Sequence, residues 1–416
     1  MREETRQWFR DAKYGLFIHW GLYSILAGEY RGVKTDKVAE WILNYMDIPV
    51  EEYRELVHQF SPDQFNADEI VRKAKEDWGM QYLVFTTKHH EGFAMYDSKV
   101  SGYNVVKATP YGKDVLREIR EACDKYGMKL GLYYSQAQDW DDPDGYRNHA
   151  DNSKKNFRRY FDEKVKPQVA ELLTNYGEIC LIWFDTPMEM TYEETKELAD
   201  LVHGLQPECL LSGRTGHGLG DYRTSGDNFL PALPCGELWE APATLNDTWG
   251  YSKHDHNWKS PEDVLRLLLR ITARGGNYLL NIGPRGGGSV PEESVAVLDA
   301  VGRYVTANRE AIFGTQPVDP IYPYELDWAL LTRRPHKIYI HVLRPRKHAT
   351  LLGVANHVTR ATLVEDGREL EVSCTMTTEG DSRVRVFFPE DLTGRADFAV
   401  CLETEEADPV FEPFAG

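Results

Sequence analysis

Three segments of the chain repeat one pattern, in which an aromatic residue and a glycine separate an amphipathic helix from an apolar strand. The aromatic–glycine pairs are Trp78-Gly79, Tyr126-Gly127 and Tyr176-Gly177. Their glycines lie 48 and 50 residues apart (127−79 and 177−127), which leaves room for a helix, a strand and a long loop in each unit. Near-continuous apolar strands that alternate with helices predict a parallel sheet that is covered on both faces.

The same reading predicts about seven strands before residue 310. They are expected at residues 14–18, 82–90, 130–135, 179–185, 208–212, 237–240 and 278–282. Ser260 and Pro261 are typical of a helix start, and Gly275 of a helix end. A TIM-like (β/α) barrel of the α/β class is the simplest closure of these elements, with one strand irregular or unrecognised.

The pattern changes after Gly314, where short β-rich runs replace the helices. These runs lie at residues 337–342, 361–364, 384–388 and 397–402. Short alternating strands over about 90 residues are typical of a small antiparallel β-sandwich. We therefore expect two domains, a catalytic (β/α) barrel over residues 1–316 and a C-terminal β-sandwich over residues 317–416.

Composition and charge change this picture mainly by exclusion. The 416 residues include 48 basic and 66 acidic side chains, a formal charge of −18, which argues against nucleic acid and anionic membranes as partners. The six cysteines, of which Cys235 is one, form no C-x-x-C pair, so reduced thiols are favoured over disulfides or a zinc site. No apolar run approaches the ~20 residues that span a bilayer. Residues 1–6 do not resemble a signal peptide, which predicts a cytoplasmic protein.

Polar side chains follow several predicted strands, at the barrel end where reactive groups gather. Asp185 is the sharpest candidate, because it closes a strongly apolar strand directly after Trp183 and Phe184. A carboxylate at this place could also cap the next helix or pair with an arginine. We favour a catalytic role, because the neighbouring strand ends carry polar groups too.

His19, His89 and His90 lie at such strand ends and invite a metal interpretation. Adjacent residues of a strand point to opposite faces, so His89 and His90 are not expected to share a metal ion. The sequence also lacks an H-E-x-x-H motif. We therefore expect no metal and no cofactor, and hydrogen bonds from these imidazoles to a polyol. The ten tryptophans and 23 tyrosines offer faces for sugar rings, although core packing accounts for some of them.

Eight stretches carry the residues of one known family, in that family's order. They are KYGLFIHWG (13–21), EW (40–41), TTKHHEGF (86–93), GLYYS (131–135), WFD (183–185), WE (239–240), NDTWGY (246–251) and GGNYLLNIGP (275–284). Together they resemble the α-L-fucosidases of glycoside hydrolase family 29 and cover roughly residues 8–314. The resemblance implies a (β/α) barrel followed by a β-sandwich, which agrees with the pattern of apolar residues.

The resemblance also implies an activity, that of a retaining exo-α-L-fucosidase acting on fucosylated oligosaccharides or glycoconjugates. Asp185 would be the nucleophile of a double displacement through a covalent fucosyl-enzyme. The residues that match sugar-pocket positions are His19, Glu40, Trp41, His89, His90, Tyr134 and Arg214. Trp249 falls where an aromatic residue commonly packs near the methyl group of the sugar.

The second carboxylate is where this chain departs from the family. Many members have a glutamate in a loop after a Gly-Asp pair, and here Gly226 occupies that position. Asp227, one residue further on, is our leading candidate for the general acid/base. Glu240 is the runner-up and Glu237 the third candidate.

Three alternatives to this function stay open at the level of sequence. A degenerate relative without its acid would bind fucose and turn over no fucoside. An α-L-galactoside hydrolase is the second, because an apolar pocket discriminates poorly against an added hydroxyl group. A metal-dependent hydrolase that uses the histidines is the third, and chelator sensitivity would identify it. The sequence gives no residue-level sign of an interface, so a homo-oligomer also stays open.

Overall fold

The computed structural model describes residues 2–231, 236–318, 326–376 and 382–412. Its N-terminal part is built on eight parallel strands that form a TIM-like (β/α) barrel. The strands are β1 (Tyr14–Ile18), β2 (Tyr82–Lys88), β3 (Lys129–Ser135), β4 (Leu181–Asp185), β5 (Leu210–Leu211), β6 (Arg223–Thr224), β7 (Trp239–Ala243) and β8 (Asn277–Ile282). Their order in the sheet is β5-β4-β3-β2-β1-β8-β7-β6, with every neighbouring pair parallel. The seven expected strands are thus present, and β6 is the one that sequence reasoning missed.

Helices surround these strands and contribute the outer layer of the barrel. The longer helices are Glu3–Ala12, Ala67–Arg72, Val115–Tyr126, Lys166–Asn175, Tyr192–Leu205, Pro261–Ala273 and Glu292–Ala307. The shorter ones are Tyr23–Leu26, Ile42–Tyr45, Val50–Arg54, Val105–Ala108, Phe157–Tyr160 and Arg309–Ile312, while one more short helix, Glu390–Thr393, belongs to the C-terminal part. The glycines of the repeated pattern, at 79, 127 and 177, have φ values of 79°, 61° and 70°. Each therefore turns the chain into a left-handed conformation that glycine adopts at low steric cost.

Side chains of the barrel strands alternate between the barrel interior and the surrounding helices. The buried interior cluster includes Phe17, Tyr82, Val84, Tyr133, Leu181, Trp183, Leu210, Tyr222 and Leu279. Their strand neighbours Tyr134 and Phe184 belong instead to the large cluster between strands and helices. This alternation follows from the period of two residues in a strand, and it decides which polar groups reach the open end of the barrel.

The edge strands β5 and β6 are joined by a few contacts rather than by a regular ladder. The backbone N–H of Asp221 donates to the carbonyl of Leu211 (2.8 Å), and the N–H of Leu211 donates to the Asp221 carboxylate (2.8 Å). The N–H of Gly213 donates to the hydroxyl of Thr224 (3.1 Å). A Cβ at Gly213 would lie 2.7 Å from the backbone nitrogen of Thr224, so only glycine permits this close approach. We refer to these contacts between residues 211–213 and 221–224 as the barrel seam.

The C-terminal part consists of two antiparallel sheets that pack into a β-sandwich. The larger sheet contains, in spatial order, Gln316–Pro317, Ala329–Arg334, Lys337–Val342, Phe398–Thr404, Val358–Leu363 and Glu369–Leu370. The smaller sheet contains His348–Leu352, Ser382–Phe387 and Val372–Met376. This confirms the sandwich and adds strands that the sequence did not reveal. The domain boundary between 316 and 317 stays a prediction, and one strand, Gln316–Pro317, crosses it.

The strand Lys337–Val342 shows how one sandwich strand serves both the sandwich core and the contact with the barrel. Ile338, Ile340 and Val342 lie in the core between the two sheets, whereas His341 points to the barrel and lies 2.7 Å from the hydroxyl of Tyr304. Burial lowers the pKa of His341 to about 4. The contact therefore joins two uncharged groups, which avoids the penalty for a buried charge.

Two further expectations concern the cysteines and membranes. The cysteines that the structure describes, Cys123, Cys180, Cys209, Cys374 and Cys401, are free thiols; Cys235 lies outside the described residues. None of the helices in the described ranges has the length and apolar character needed to cross a bilayer.

Candidate active site

A cavity of about 260 Å³ opens at the carboxyl ends of the barrel strands. It is lined by Phe17, His19, Val38, Glu40, Trp41, Tyr45, His89, His90, Tyr133, Trp183, Asp185, Thr186, Arg214, Asp227 and Trp249. All site residues expected from the sequence are among them except Tyr134 and the two lesser acid/base candidates, Glu240 and Glu237. Sequence reasoning missed Tyr133, Tyr45 and Thr186.

Asp185 is the last residue of β4, and its carboxylate is held by several donors. Oδ2 accepts a hydrogen bond from the hydroxyl of Tyr133 (2.9 Å). Oδ1 accepts from Nη1 of Arg214 (3.2 Å) and from the backbone N–H of Thr186 (2.9 Å). The side chain is only 13% exposed, so these contacts fix it in one orientation at the floor of the cavity.

The backbone turns sharply directly after Asp185. Thr186 has a φ of 50° and Met188 a φ of 46°, and a left-handed conformation is strained for a β-branched residue such as threonine. The turn places the N–H of Thr186 on the carboxylate of the preceding residue. Strain at this turn is typical of functional sites, where the surrounding structure maintains it.

Arg214 bridges the two carboxylates that the sequence favoured. While Nη1 contacts Asp185, Nη2 donates to Oδ1 of Asp227, and the guanidinium lies 4.8 Å from the ring centre of Trp183. Burial lowers the pKa of Arg214, but the two carboxylates outweigh burial and raise this pKa above its ordinary value. Asp185 and Asp227 are therefore close neighbours on one wall, both in contact with a permanent cation.

Asp227 lies at the rim of the cavity, on the segment that follows β6. Backbone hydrogen bonds from Ser225 N to the carbonyl of Glu240 (2.9 Å) and from Asn228 N to the carbonyl of Pro242 (3.0 Å) hold this segment beside β7. The side chain of Asp227 is 45% exposed. Of the two carboxylates, Asp185 is thus enclosed and Asp227 reaches solvent.

Glu240 does not line the cavity, in contrast to its expected place at the end of a strand. The strand β7 begins at Trp239, so Glu240 is near its amino end and lies in the barrel interior. Its carboxylate accepts hydrogen bonds from Tyr82 (2.6 Å), Trp183 (2.8 Å) and Tyr222 (3.5 Å). Burial raises the pKa of Glu240 to about 7. Glu240 thus holds the indole of Trp183, on which Arg214 packs. Glu237, the third candidate, pairs with Arg223 at the surface.

The expectation that Tyr134 binds the sugar is wrong in its geometry, because this side chain points away from the cavity. Its hydroxyl donates to Gln168 (2.8 Å) in the layer between strands and helices. Tyr133 is the inward residue, and it pairs in register with Trp183, whereas Tyr134 pairs with Phe184. The period of two in β3 and β4 carries this signal: with Asp185 and Trp183 inward, Tyr133 must be inward as well.

His19 presents a hydrogen-bond acceptor to the cavity. Its Nδ1 lies 2.7 Å from Oδ1 of Asn281, and the amide nitrogen of Asn281 donates to the carbonyl of Trp249 (2.7 Å). The amide oxygen of Asn281 is therefore an acceptor, which assigns the hydrogen of His19 to Nδ1. Burial lowers the pKa of His19 to about 4, so the ring is neutral and its Nε2 accepts.

His90 has the same arrangement. Its Nδ1 lies 2.7 Å from the hydroxyl oxygen of Ser135, and that hydroxyl donates its hydrogen to the carbonyl of Gln138 (2.6 Å). The hydrogen of His90 is thus on Nδ1, and burial keeps the pKa of His90 well below its usual value. Nε2 of His90, which lies 3.7 Å from Oδ2 of Asp185, is a second acceptor.

His89 and His90 do not point to opposite faces, contrary to the expectation from strand geometry. β2 ends at Lys88, so both histidines lie beyond the strand, and their ring centres are 4.1 Å apart on the cavity wall. Nδ1 of His89 is buried without a partner among the described residues. Within the residues that the structure describes, no group of three or more His, Cys, Asp or Glu residues could hold a metal ion.

Glu40 and Trp249 complete the lining of the cavity. Oε2 of Glu40 accepts from the backbone N–H of Gly250 (2.9 Å), and Oε1 is buried without a partner among the described residues. Burial is the main cause that raises the pKa of Glu40 to about 7. Trp249 packs against His19 with a ring distance of 5.0 Å. Uncharged imidazoles, a buried carboxyl and aromatic faces suit a neutral ring with several hydroxyl groups, and two close carboxylates suit glycoside hydrolysis.

Comparison with known proteins agrees with this chemistry. Residues 1–310 match the sequence model of the family described as alpha-L-fucosidase. A putative alpha-L-fucosidase of Caenorhabditis elegans is 31% identical, over 74% of this chain and 67% of its own length. An alpha-L-fucosidase of Dictyostelium discoideum is 26% identical, over 90% of this chain and 87% of its own.

Solved structures of alpha-L-fucosidases resemble most of the chain. The alpha-L-fucosidase from Vibrio sp. strain EJY3 matches with a TM-score of 0.91 and 31% identity, over 98% of this chain and 74% of that one. The alpha-L-fucosidase AlfC from Lactobacillus casei, in complex with alpha-L-fucose, has a TM-score of 0.67 and 46% identity over 71% of this chain and 97% of its own. The present chain therefore belongs to the alpha-L-fucosidase family of retaining glycoside hydrolases, family 29.

Proposed function

We propose that the chain removes terminal α-L-fucose by double displacement, with Asp185 as the nucleophile and Asp227 as the general acid/base. The observation that carries these roles is the guanidinium of Arg214, which contacts both carboxylates at once. Retaining glycosidases need their two carboxyl groups about 5–5.5 Å apart, and a shared guanidinium supports a separation of this kind. Asp227 also takes the rim position, where the aglycone must leave.

In the first step, an oxygen of Asp185 attacks C1 of the fucoside from the β face. The bond between C1 and the glycosidic oxygen breaks, and Asp227 gives its proton to that oxygen, which leaves as the alcohol. In the second step, Asp227 removes a proton from water, the water oxygen attacks C1 from the α face, and the bond to Asp185 breaks. The product is α-L-fucose, with the configuration of the substrate.

The different exposure of the two carboxylates fits their different tasks. Asp185 is enclosed and held by Tyr133, Arg214 and the backbone of Thr186, which orients it for attack and limits competing water. Asp227 is 45% exposed, so it can meet both the leaving group and the incoming water. Binding of the sugar itself is assigned to Nε2 of His19 and of His90, which accept hydrogen bonds from its hydroxyl groups.

The substrate class we propose is a fucosylated oligosaccharide or glycoconjugate. Structures of AlfC variants contain Fuca(1,6)GlcNAc or 4-nitrophenyl-a-L-fucopyranoside, and the net charge of −18 here favours a neutral glycan over a polyphosphate. A barrel over residues 1–316, a sandwich over 317–416 and a cytoplasmic location remain our predictions from sequence. A homo-oligomer stays open.

The configuration of the first product tests this proposal. We expect the wild-type protein to release α-L-fucose first from an aryl α-L-fucoside, with the β anomer growing only as fast as free fucose mutarotates. The measurement is ¹H NMR of the anomeric region during the first minutes of reaction. Initial release of β-L-fucose would show a single displacement and remove Asp185 as a nucleophile, and no release at all would support a binding protein.

Exchange of Tyr133 and of Tyr134 for phenylalanine should separate their roles. Tyr133→Phe removes the hydrogen bond to Asp185 (2.9 Å). Because a hydrogen bond to a charged group contributes about 1.5–3 kcal/mol, we expect kcat/KM for an aryl α-L-fucoside to fall roughly 10- to 100-fold. Tyr134→Phe is the matched control, since its hydroxyl contacts only Gln168 among the described residues; its kcat/KM should change less than about twofold. A larger loss in Tyr134→Phe would place that residue back in the site.

A further inference from the structure

One wall of the cavity continues from the sugar site to solvent as a row of aromatic rings. The ring of Trp41 meets the ring of His90 edge-on, at a centre distance of 5.0 Å. On its other side Tyr45 stacks on Trp41 at 5.5 Å, with the ring planes 24° apart. Tyr45 lines the same cavity as Asp185 and Asp227, yet 40% of its surface is exposed. A large apolar ring is thus left open at the mouth of the site.

The Tyr45 ring is held in place rather than free to swing. Tyr45 is the last residue of the helix Ile42–Tyr45, whose first two side chains are buried in the core. Its neighbour Asn44 accepts a hydrogen bond from Nε of Arg147 (2.7 Å). Trp41 is supported from behind by Trp140, with 5.3 Å between ring centres. A ring fixed before a ligand arrives loses little conformational entropy when the ligand binds.

The position of the Tyr45 ring relative to the reaction follows from the cavity lining. In the proposed mechanism the glycosidic oxygen must lie at Asp227, so the group attached to that oxygen extends outward from the rim. Glu40, which precedes Trp41, lines the same cavity as Asp227. The aromatic row therefore runs beside the path along which the aglycone leaves the enclosed sugar site.

We propose that the exposed face of Tyr45, backed by Trp41, binds the first sugar ring of the aglycone. The chemistry fits a pyranose, because one face of such a ring presents C–H groups that pack on an aromatic ring while its hydroxyl groups stay in water. This inference rests on the function proposed above and adds the part of the substrate beyond fucose. The platform selects an aglycone that is a sugar ring rather than a short chain such as a serine or threonine side chain.

Phe229 offers a rival surface, and the test must include it. It lies two residues after Asp227 and is 61% exposed, but it does not line the cavity. Tyr192, at the start of the helix Tyr192–Leu205 and 48% exposed, also lies outside the cavity lining. Tyr192→Ala is therefore the matched control for loss of an exposed tyrosine ring.

The experiment compares two substrates that share the fucose and differ in the aglycone. α-L-Fucosyl fluoride has no aglycone ring, whereas a fucosyl-N-acetylglucosamine disaccharide has one. The disaccharide used is the best cleaved of the 1,3-, 1,4- and 1,6-linked isomers. We expect Tyr45→Ala to lower kcat/KM for the disaccharide about 10-fold, as for loss of one stacked ring. Its kcat/KM for the fluoride should change less than about twofold. Tyr45→Phe should behave as wild type on both, because it keeps the ring.

The other possible results would contradict either the role of Tyr45 or the proposed function. An equal loss of Tyr45→Ala on both substrates would mean that Tyr45 shapes the fucose site, and a loss in Phe229→Ala alone would move the platform to Phe229. A loss on the disaccharide alone in Tyr192→Ala, equal to that in Tyr45→Ala, would also overturn the platform, because Tyr192 does not line the cavity. Wild-type turnover of the fluoride with no cleavage of any isomer would also overturn the sugar platform. Failure of the wild type to turn over the fluoride would instead overturn the proposed function.

Discussion

Replacing Asp185 by alanine should lower kcat for an aryl α-L-fucoside by a factor on the order of 10,000 or more, while fucose still binds. The loss of a nucleophile has this size because the enzyme then has no group to form the covalent intermediate. The substitution also leaves Tyr133 and Arg214 without the carboxylate that they share in the wild type. The measurement is kcat by nitrophenol release, together with the Kd of fucose by calorimetry.

Added azide should restore part of the activity of Asp185→Ala and give β-L-fucosyl azide. The small anion fits the space of the missing carboxylate and attacks C1 from the same face. Asp185→Asn is the control that keeps this space filled, so azide should rescue it poorly. Retention of more than about one hundredth of the wild-type kcat by Asp185→Ala would place the nucleophile elsewhere. Wild-type activity should be unchanged in EDTA, and loss on chelation would favour the metal-dependent alternative.

Replacing Asp227 by alanine should give an effect that depends on the leaving group. A fucoside whose aglycone is a sugar needs protonation of the glycosidic oxygen, so its kcat/KM should fall about 100- to 10,000-fold. Nitrophenolate is a good leaving group without protonation, so the first step with the nitrophenyl substrate should be nearly unaffected. Loss of the base slows the second step, and kcat and KM for this substrate should therefore fall together. Steady-state kinetics over a series of aryl fucosides measures this dependence.

Glu240→Gln is the comparison that separates Asp227 from the other carboxyl candidate. The amide that it introduces keeps the size of the side chain beside Tyr82 and Trp183, so we expect a similar change for all leaving groups. Azide should rescue Asp227→Ala with α-L-fucosyl azide as product, because here it replaces water in the second step. A steep leaving-group dependence in Glu240→Gln, with a flat one in Asp227→Ala, would exchange the two assignments.

The barrel could be predicted because its strands are strongly apolar and separated by helices with clear ends. β1 to β4 and β8 are buried along almost their whole length, and such runs dominate any sequence pattern. β6 was missed because it has two residues, Arg223 and Thr224, neither of them buried. In the sandwich, Val372–Met376 escaped for the same reason, since its side chains are exposed or half-buried.

The sequence predicts a site residue well when a reactive side chain directly follows an apolar strand. It predicts less well which side chains of a strand point into the cavity. Asp185 follows an apolar strand, so its place at the open end of the barrel is encoded locally. Tyr134 was expected in the cavity, but its neighbour Tyr133 is the inward residue of β3. Glu240 was expected at the end of its strand, but β7 begins at Trp239 and places Glu240 near the amino end. Arg214 contacts two aspartates that lie on other segments of the chain, and a local sequence pattern does not predict such long-range contacts.

The barrel seam lets the loop that leads to Asp227 change more easily during evolution than the strand that carries Asp185. β5 and β6 have only two residues each and, among the described residues, a ladder partner on one side only. An insertion at the exposed residues His217 and Gly218 would therefore leave both strands and Arg214 in place. Loops with so little structural constraint accept changes of length more readily than the strands that they connect. The segment before Asp227 can therefore lengthen or shorten while the floor that carries Asp185 stays intact. Asp227, the proton donor of the proposed mechanism, follows this segment, so its position can shift while the rest of the barrel is kept.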